Sequence, residues 1–367
     1  MNELNPKILE NWYSSNFEKK LKGRRILFED IKPLIENLPA KFEKEIIGYS
    51  ENNIPIYKIS LGSGRKKILS WSQMHGNEST GTKALFDLFH FFNSEAVEVK
   101  NIALQILENC RLEFIVLLNP DGAINFTREN FNNIDLNRDA VDRKAIESKL
   151  LRETLDVFNP EFCFNLHDQR SIFNVEGHAN PATISFLAPS EDLKRTLSEG
   201  RKTTMSVIVA MNNLLQQLIP NHIGRYTDEF YPTATGDNFQ KLGHNTILIE
   251  AGHFKGDHNR EATRKFNFYA LVQGLYFIAT TSNYSNYESY FDIPNNDKRY
   301  LDIIYKNLKD NEDNVIDVGI QLKYNVTING LNSYECIEHK GDLSNYHSDI
   351  TINGENLNFN DLKLSNS

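Results

Sequence analysis

The chain has 367 residues, 40% hydrophobic and 24% charged, which is the composition of an ordinary water-soluble globular protein with a sizeable core. Its net charge of −9 argues against nucleic acid or an anionic membrane surface as the main partner. The amino terminus lacks a signal-peptide pattern, no apolar run approaches the roughly 20 residues of a spanning helix, and the three cysteines lie far apart, so we expect a cytoplasmic protein without disulfides.

The first elements are a helical segment and a hairpin. Residues 1–45 place apolar side chains at helical spacing among charges, which predicts helices packed on the outside of the main domain. Residues 46–49 and 54–61 are apolar segments joined by Glu51-Asn52-Asn53, and this pattern predicts a β-hairpin.

The next stretch contains the first candidate functional residues. Residues 67–74 form an apolar strand that runs directly into His75, and Glu78 follows three positions later. Ser79 and Thr80 predict the start of a helix that continues to residue 92 with apolar side chains on one face. A histidine and a carboxylate on a tight turn between strand and helix can point at one metal ion.

Three later apolar strands also end in polar residues. Residues 111–118, 162–166 and 246–249 lead into Asn119-Pro120-Asp121-Gly122, His167-Asp168 and Glu250, respectively. Segments with helical spacing separate them, at 140–158, 191–219 and 260–280. Such a pattern predicts an α/β fold with a mixed, mostly parallel sheet flanked by helices, and ligands bind such sheets at the carboxyl ends of the strands.

The amino-acid composition changes after residue 283, where a Tyr- and Asn-rich linker begins. We predict a short helix near residues 298–308 and then a small β-rich appendage with Asn-Gly turns at 329–330 and 353–354. The predicted organisation is therefore a helical segment 1–45, a catalytic domain 46–284, and a linker with a β-rich region 285–367.

Two imidazoles and one carboxylate form the ligand set of a catalytic zinc site with a fourth position open. His75, Glu78 and His167 supply this set, so we expect one Zn²⁺ per chain. Such a site needs a base, and Glu250 ends a buried strand at the same sheet edge. Arg128 can stabilise an oxyanion beside the metal, while Arg138 with Asn137 can hold a substrate carboxylate in a bidentate fork.

Taken together, these residues resemble the zinc metallocarboxypeptidases of the carboxypeptidase A-like group. The matching motifs occur in the family's order: His75-x-x-Glu78, Asn119-Pro120-Asp121-Gly122, Arg128-x-Asn130, Asp135-Leu136-Asn137-Arg138, Leu166-His167-Asp168 and Ile247-Leu248-Ile249-Glu250. The resemblance implies an eight-stranded mixed sheet, zinc on the three ligands, Glu250 as general base and Arg128 polarising the scissile carbonyl. It also implies a terminal carboxylate held by Asn137 and Arg138.

The resemblance further implies an active-site tyrosine and a specificity pocket. Tyr231 and Tyr226 both qualify as the tyrosine, and Tyr231 is preferred. Residues 236–239 resemble the family's specificity-loop strand, and Gly236 at the pocket position implies a roomy pocket without a charge preference.

The leading hypothesis is a zinc hydrolase that cleaves an amide bond next to a free carboxylate, releasing a C-terminal residue from a peptide through a zinc-activated water. The alternative enzyme is an N-acyl amino acid deacylase of the aspartoacylase or succinylglutamate desuccinylase type. A third reading is a non-catalytic carboxylate-binding protein. The expected partner is a peptide or small amide with a free carboxylate, neither nucleic acid nor membrane, and the sequence does not define the oligomeric state.

Overall fold

The computed structural model describes residues 3–310, 314–355, 357, 359, 362, 365 and 366. Its main feature is an eight-stranded mixed sheet in the order β1-β2-β4-β3-β5-β9-β7-β8. These strands are β1 Glu43–Tyr49, β2 Pro55–Leu61, β3 Lys66–Ser72, β4 Cys110–Ile115, β5 Phe162–Asp168, β7 Ile184–Leu187, β8 Ile223–Arg225 and β9 Asn245–Ala251. A separate short pair joins β6 Asn174–Val175 to β10 Asn296–Asp297.

The four central strands, β4, β3, β5 and β9, are parallel, whereas β1, β2 and β7 pair antiparallel to their inner neighbours. The expected mixed sheet flanked by helices is therefore confirmed, and so is the hairpin of β1 and β2. The sequence did not predict β6, β7 or β8, because strands of two to four residues carry too few side chains for a periodic pattern.

Helices cover both faces of the sheet. The helices are α1 Pro6–Asn16, α2 Phe28–Glu36, α3 Thr80–Phe92, α4 Val97–Asn109, α5 Pro120–Asn125, α6 Ile146–Phe158, α7 Glu199–Gln216, α8 Thr235–Lys241 and α9 Glu261–Thr280. Short 3-10 helices lie at Leu136–Arg138 and Glu288–Asp292. In the described ranges, no helix combines the length and apolar character that a bilayer crossing requires.

Alternate residues of the strands enter two different hydrophobic cores. In β5, Phe162, Phe164 and Leu166 pack with α3, α4, α7 and α9, whereas Cys163 packs with α6 and α8. Successive strand residues point to opposite faces, so each core defines one face of the sheet. We call these the α3/α9 face and the α6/α8 face.

The N-terminal segment is joined to the α3/α9 face by a buried ionic network. Arg264 and Asp87 are both fully buried, and Arg264 donates to both Asp87 oxygens and to the backbone oxygens of Glu18 and Leu21. Tyr13 adds a hydroxyl contact to Asp87 at 3.1 Å. A buried charge pair of this kind must be fully hydrogen-bonded to be tolerated, so it fixes the position of this segment closely.

A second sheet follows the main domain, in the order β14-β11-β12-β13-β15. Its strands are β11 Tyr300–Lys309, β12 Val315–Thr327, β13 Gly330–Gly341, β14 His347–Asn353 and β15 Ser365–Asn366. The expected β-rich region and its Asn329-Gly330 turn are confirmed, with φ of 108° at Gly330. We call it the C-terminal sheet.

The predicted helix at 298–308 is wrong, because residues 300–308 lie in the strand β11. Leu301, Ile304, Tyr305 and Leu308 fall at helical spacing, which misled the sequence reading. In the structure, β11 is paired on both edges, by β12 and β14, and burial on both faces removes the alternation that would identify a strand.

Candidate metal centre and cleft

His75, Glu78 and His167 meet at the carboxyl edge of the sheet. His75 lies three residues after the end of β3, Glu78 lies in the turn before α3, and His167 is the sixth residue of β5. The turn can fold tightly because Gly76 packs against the backbone of α5, where a Cβ would come within 1.9 Å of Gly122. Both imidazoles are buried, and the Glu78 side chain is 11% exposed.

The ligand atoms of these three residues converge. His75 Nδ1 lies 2.8 Å from Glu78 Oε1, His167 Nδ1 lies 2.9 Å from Glu78 Oε2, and the two Nδ1 atoms are 3.2 Å apart. Two imidazole nitrogens and a carboxylate facing one point form a three-ligand set with room for a fourth ligand, as a catalytic zinc site requires. The residues therefore fit a zinc ion.

Each ionisable group in this cluster shifts the pKa of its neighbours. Burial acts against the charged form of Glu78, yet the two imidazoles outweigh it and lower the pKa of Glu78 well below its usual range. Burial lowers the pKa of His167, so the neutral imidazole that a metal needs is favoured. For His75, the carboxylates of Glu78 and Asp135 outweigh burial and raise the pKa.

Asp135 is a further candidate site residue, for which the sequence analysis assigned no role. Its Oδ1 lies 3.2 Å from His75 Nε2, and its Oδ2 accepts a hydrogen bond from Arg128 Nε at 2.9 Å. Burial alone would raise the pKa of Asp135, but the contacts with His75 and Arg128 outweigh burial and lower this pKa. A carboxylate on the outer nitrogen of a ligating histidine fixes the ring orientation, and its place two residues before Asn137 was the available signal.

Arg128 reaches the ligands from the loop after α5. Its Nη1 is 3.2 Å from His75 Nδ1 and 3.6 Å from Glu78 Oε1, while its side chain is 39% exposed. A guanidinium in this position can donate to an oxygen atom of a molecule bound beside the ligands.

Glu250 is the register partner of His167, because β5 and β9 pair in parallel with these two residues opposite each other. Burial, together with the nearby carboxylates of Glu78 and Asp168, raises the pKa of Glu250 well above its usual range. A carboxylate with a raised pKa beside a metal-ligand set is suited to accept and return a proton.

Asn137 and Arg138 lie on the α6/α8 face of the same cleft. Asn137 Oδ1 accepts a hydrogen bond from the backbone of Thr235 at 3.0 Å, which fixes the 3-10 helix against α8. Arg138 donates to the Asn137 carbonyl oxygen at 2.7 Å, and its guanidinium lies 5.6 Å from the Tyr231 ring. No carboxylate pairs with Arg138 within the described ranges, so its guanidinium is free to bind one.

The two candidate tyrosines occupy different places. Tyr231 is 46% exposed at the cleft edge, next to Arg138, and donates to Glu229 Oε2 at 2.8 Å. Tyr226 lies deeper in the cleft, where burial and the charges of Glu250 and Glu78 raise its pKa.

The segment that resembles the specificity-loop strand is the helix α8, contrary to the expectation. Gly236 and Asp237, near its start, line the cleft, and Gly236 packs against Pro189. Asp237 lies beside Gly236, and burial raises the pKa of Asp237 to about 6.

All the predicted site residues line one cleft of about 770 Å³, at the carboxyl edge of the central strands. The opposite wall comes from the N-terminal segment and the C-terminal sheet, through Arg24, Asp302, Gln321, Leu322, Lys323, Tyr324 and Tyr334. The sequence analysis placed no functional residue in either segment.

A second group of possible metal ligands, His253, His258 and Asp349, joins the main domain to the C-terminal sheet. His253 Nε2 lies 2.9 Å from Asp349 Oδ2, and Asp349 also accepts hydrogen bonds from Tyr300 Oη and the Gly256 backbone. With these donors in place, Asp349 serves as a buried polar anchor between the two sheets.

The comparisons with known proteins agree with this geometry. Residues 29–167 match the family model described as zinc carboxypeptidase, a range that contains the three ligand positions, Arg128, Asn137 and Arg138. Over 103 residues, the chain is 32% identical to carboxypeptidase SOL1 of Arabidopsis thaliana, covering 26% of this chain and 21% of that protein. The matched part is thus about a fifth of that relative's length.

Solved structures show the same fold. A metallo-carboxypeptidase from Burkholderia cenocepacia aligns with a TM-score of 0.54 and 15% identity over 68% of this chain and 67% of its own. The carboxypeptidase A from Helicoverpa armigera aligns with a TM-score of 0.56 and 12% identity over 75% of this chain and 80% of its own. At these identities the alignments show shared architecture. The kinship with the aspartoacylase group stays a prediction.

Proposed function

We propose that the chain, whose residues 29–167 match the zinc carboxypeptidase family model, releases the C-terminal residue of a peptide by hydrolysis. The observation that carries this proposal is the convergence of His75, Glu78 and His167 on one point, with Glu250 beside His167. The unpaired guanidinium of Arg138 in the same cleft adds a site for a terminal carboxylate.

Zinc held by His75, Glu78 and His167 supplies a Lewis acid that polarises a carbonyl oxygen and makes a water molecule more acidic. The Glu250 carboxylate takes a proton from the attacking water and passes it to the leaving nitrogen, so the proton balance closes within the site. Arg128 donates hydrogen bonds to the carbonyl oxygen as it gains negative charge in the transition state.

Substrate orientation is assigned to the α6/α8 face of the cleft. Arg138 offers two parallel donors to the terminal carboxylate, and Asn137 holds the arginine-bearing turn in place. Tyr231, next to Arg138, contacts the substrate at this end. Gly236 leaves the adjoining pocket without a projecting side chain, so we expect broad acceptance of neutral C-terminal residues.

The test measures the zinc content of the purified protein and then the hydrolysis of matched peptides. We expect one zinc per chain in the wild type and none in His167→Ala, while His178→Ala, a histidine outside the cleft, keeps the metal. The zinc protein should release a free amino acid from carboxyl-terminated peptides and leave the same peptides with amidated ends intact.

Other outcomes of these measurements would favour one of the alternative functions. Activity on N-acyl amino acids without activity on peptides would assign the chain to the deacylases. Stoichiometric zinc and carboxylate binding without turnover of either class would identify a binding protein. A wild type that binds no metal would overturn the proposal.

A further inference from the structure

The wall of the cleft opposite Arg138 is built from segments outside the matched residues 29–167. The N-terminal segment contributes Arg24, and the C-terminal sheet contributes Lys323 and Tyr324, both from β12. These residues are therefore placed to contact a substrate that extends beyond the reacting bond on this side of the cleft.

Among the residues that the structure describes, the Arg24 guanidinium has no anionic partner. Its one side-chain hydrogen bond, to the His258 carbonyl oxygen, is long at 3.4 Å, and its buried Nε has no partner within the described ranges. No carboxylate oxygen of the described residues lies within ion-pair distance of it. The guanidinium lies over the ring of Tyr324, 4.6 Å from the centroid, which holds it in position facing the cleft.

Lys323 brings a second free cation to the same wall. Its ammonium forms neither an ion pair nor a hydrogen bond with any residue that the structure describes. Tyr324, the next residue, packs edge-on against Phe126 from the metal-site loop, with ring centroids 6.2 Å apart. The strand that carries Lys323 is therefore in direct contact with the main domain.

The acidic groups nearby already have partners. Asp302 is 2% exposed and accepts hydrogen bonds from Ser171 Oγ and the Leu322 backbone, at 3.2 and 2.7 Å. Asp168 accepts from Thr80 Oγ1 at 2.7 Å and lies 3.4 Å from Arg260. Glu338 pairs with Arg170 at 2.8 Å. The two free cations are therefore left for an external anion.

The topology places this wall and Arg138 on opposite sides of the metal ligands. Arg24 lies near Asp168, which shares the α3/α9 face with Leu166, whereas Arg138 packs beside α8 on the α6/α8 face. His167 and Glu250 lie between them at the sheet edge. A peptide whose terminal carboxylate sits on Arg138 therefore directs its acyl part toward Arg24.

We propose that Arg24 and Lys323 form an anion-binding subsite for an acidic side chain on the acyl part of the substrate. The substrate class is then a peptide with Asp or Glu within the two residues before the bond that is cleaved. This inference rests on the proposed carboxypeptidase function for the direction of the peptide, while the subsite itself rests on the unpaired cations.

The test uses zinc-loaded full-length protein and matched peptides: acetyl-Ala-Glu-Leu, acetyl-Glu-Ala-Leu and their Gln counterparts. We expect the wild type to prefer a Glu peptide over its Gln counterpart by roughly tenfold or more in kcat/KM, the worth of one charge-assisted hydrogen bond. Arg24→Gln and Lys323→Gln should each reduce this preference severalfold, with the Gln peptides as internal controls for folding. Lys22→Gln removes the same charge two residues away and should leave the preference unchanged.

A binding measurement separates the two proposals. Calorimetric titration of zinc-loaded Glu250→Gln with the same peptides reports the subsite without turnover. Glu preference in binding, lost in Glu250→Gln combined with Arg24→Gln, supports the subsite even if the wild type cleaves nothing, which would refute only the proposed function. Cleavage without a Glu preference, or equal losses for Glu and Gln peptides in Arg24→Gln, would overturn the subsite alone.

Discussion

His167 and Glu250 lie directly opposite each other on the parallel strands β5 and β9, and the sheet register alone sets them side by side. Residues paired in a parallel ladder point to the same face, so the candidate ligand and the candidate base share the α6/α8 face. The spacing between His167 and Glu250 is thus set by two largely buried strands, whose packed surroundings resist deformation.

Glu250→Gln should abolish turnover and still leave zinc bound. The amide cannot accept the proton of the attacking water, so we expect kcat to fall by about 10²–10⁴-fold. Steady-state kinetics with zinc quantification checks this, and Glu153→Gln on the surface of α6 serves as the control. Unchanged turnover in Glu250→Gln would remove Glu250 from the mechanism.

The same substitution should stabilise the metal-free protein at neutral pH. A carboxyl group whose pKa is higher in the folded than in the unfolded state costs stability once it ionises, beginning as the pH rises above the unfolded value of 4.5. We expect the Tm of metal-free Glu250→Gln to exceed that of the wild type above this pH, with the difference vanishing at lower pH. A difference that is equal at all pH values would show that ionisation is not the cause.

Asp135→Asn should weaken zinc binding by about 10–100-fold, as expected when the carboxylate behind a ligating histidine is lost. The amide still reaches His75 Nε2 but carries no charge to fix the imidazole and increase its basicity. Competition with a chromogenic chelator measures the affinity. Asp142→Asn, at an exposed position of the same loop region, should bind zinc like the wild type. Equal affinities in both variants would make Asp135 a structural residue.

Arg138→Lys should lose most of the preference for a free terminal carboxylate. A lysine keeps the charge but offers no planar pair of donors, so we expect kcat/KM on carboxyl-terminated peptides to fall roughly tenfold or more. The loss should appear mainly in KM, because the reacting groups are untouched. Arg143→Lys, on an exposed turn, is the matched control. A variant as active as the wild type would place the terminal carboxylate elsewhere.

Asp349→Ala should loosen the C-terminal sheet. The substitution leaves the His253, Tyr300 and Gly256 donors without their shared acceptor, a loss of about 1–3 kcal/mol. We expect faster amide hydrogen exchange in β14 and residues 253–258, with that of β5 unchanged. Asp342→Asn, at an exposed position in the connection between β13 and β14, should exchange like the wild type. Unchanged protection in Asp349→Ala would mean that other contacts hold the sheet.

The strand ends were predictable, and the cleft walls were not. Apolar runs that stop at His75, His167 and Glu250 reveal buried parallel strands, and chain order alone then places their ends together. Nothing local links Asp135 to His75 across 60 residues, or Tyr324 to Arg24 across almost the whole chain. These contacts depend on long-range packing, which a pattern of neighbouring residues does not encode. The strand β11 was wrongly predicted as a helix, because it is buried on both faces and its sequence lacks the alternation of apolar and polar residues that identifies a strand.

Arg24 and Tyr324 contact each other in the wall of the cleft, whereas the candidate metal ligands and Glu250 come from residues 75–250, which lie between them in the sequence. As the polypeptide is synthesised, the metal ligands and Glu250 emerge before the strand that carries Lys323 and Tyr324. The residues proposed to break the bond are therefore specified earlier along the chain than the part of the wall that the C-terminal sheet forms. Changes confined to the C-terminal sheet can thus retune substrate choice during evolution while the reacting groups stay untouched.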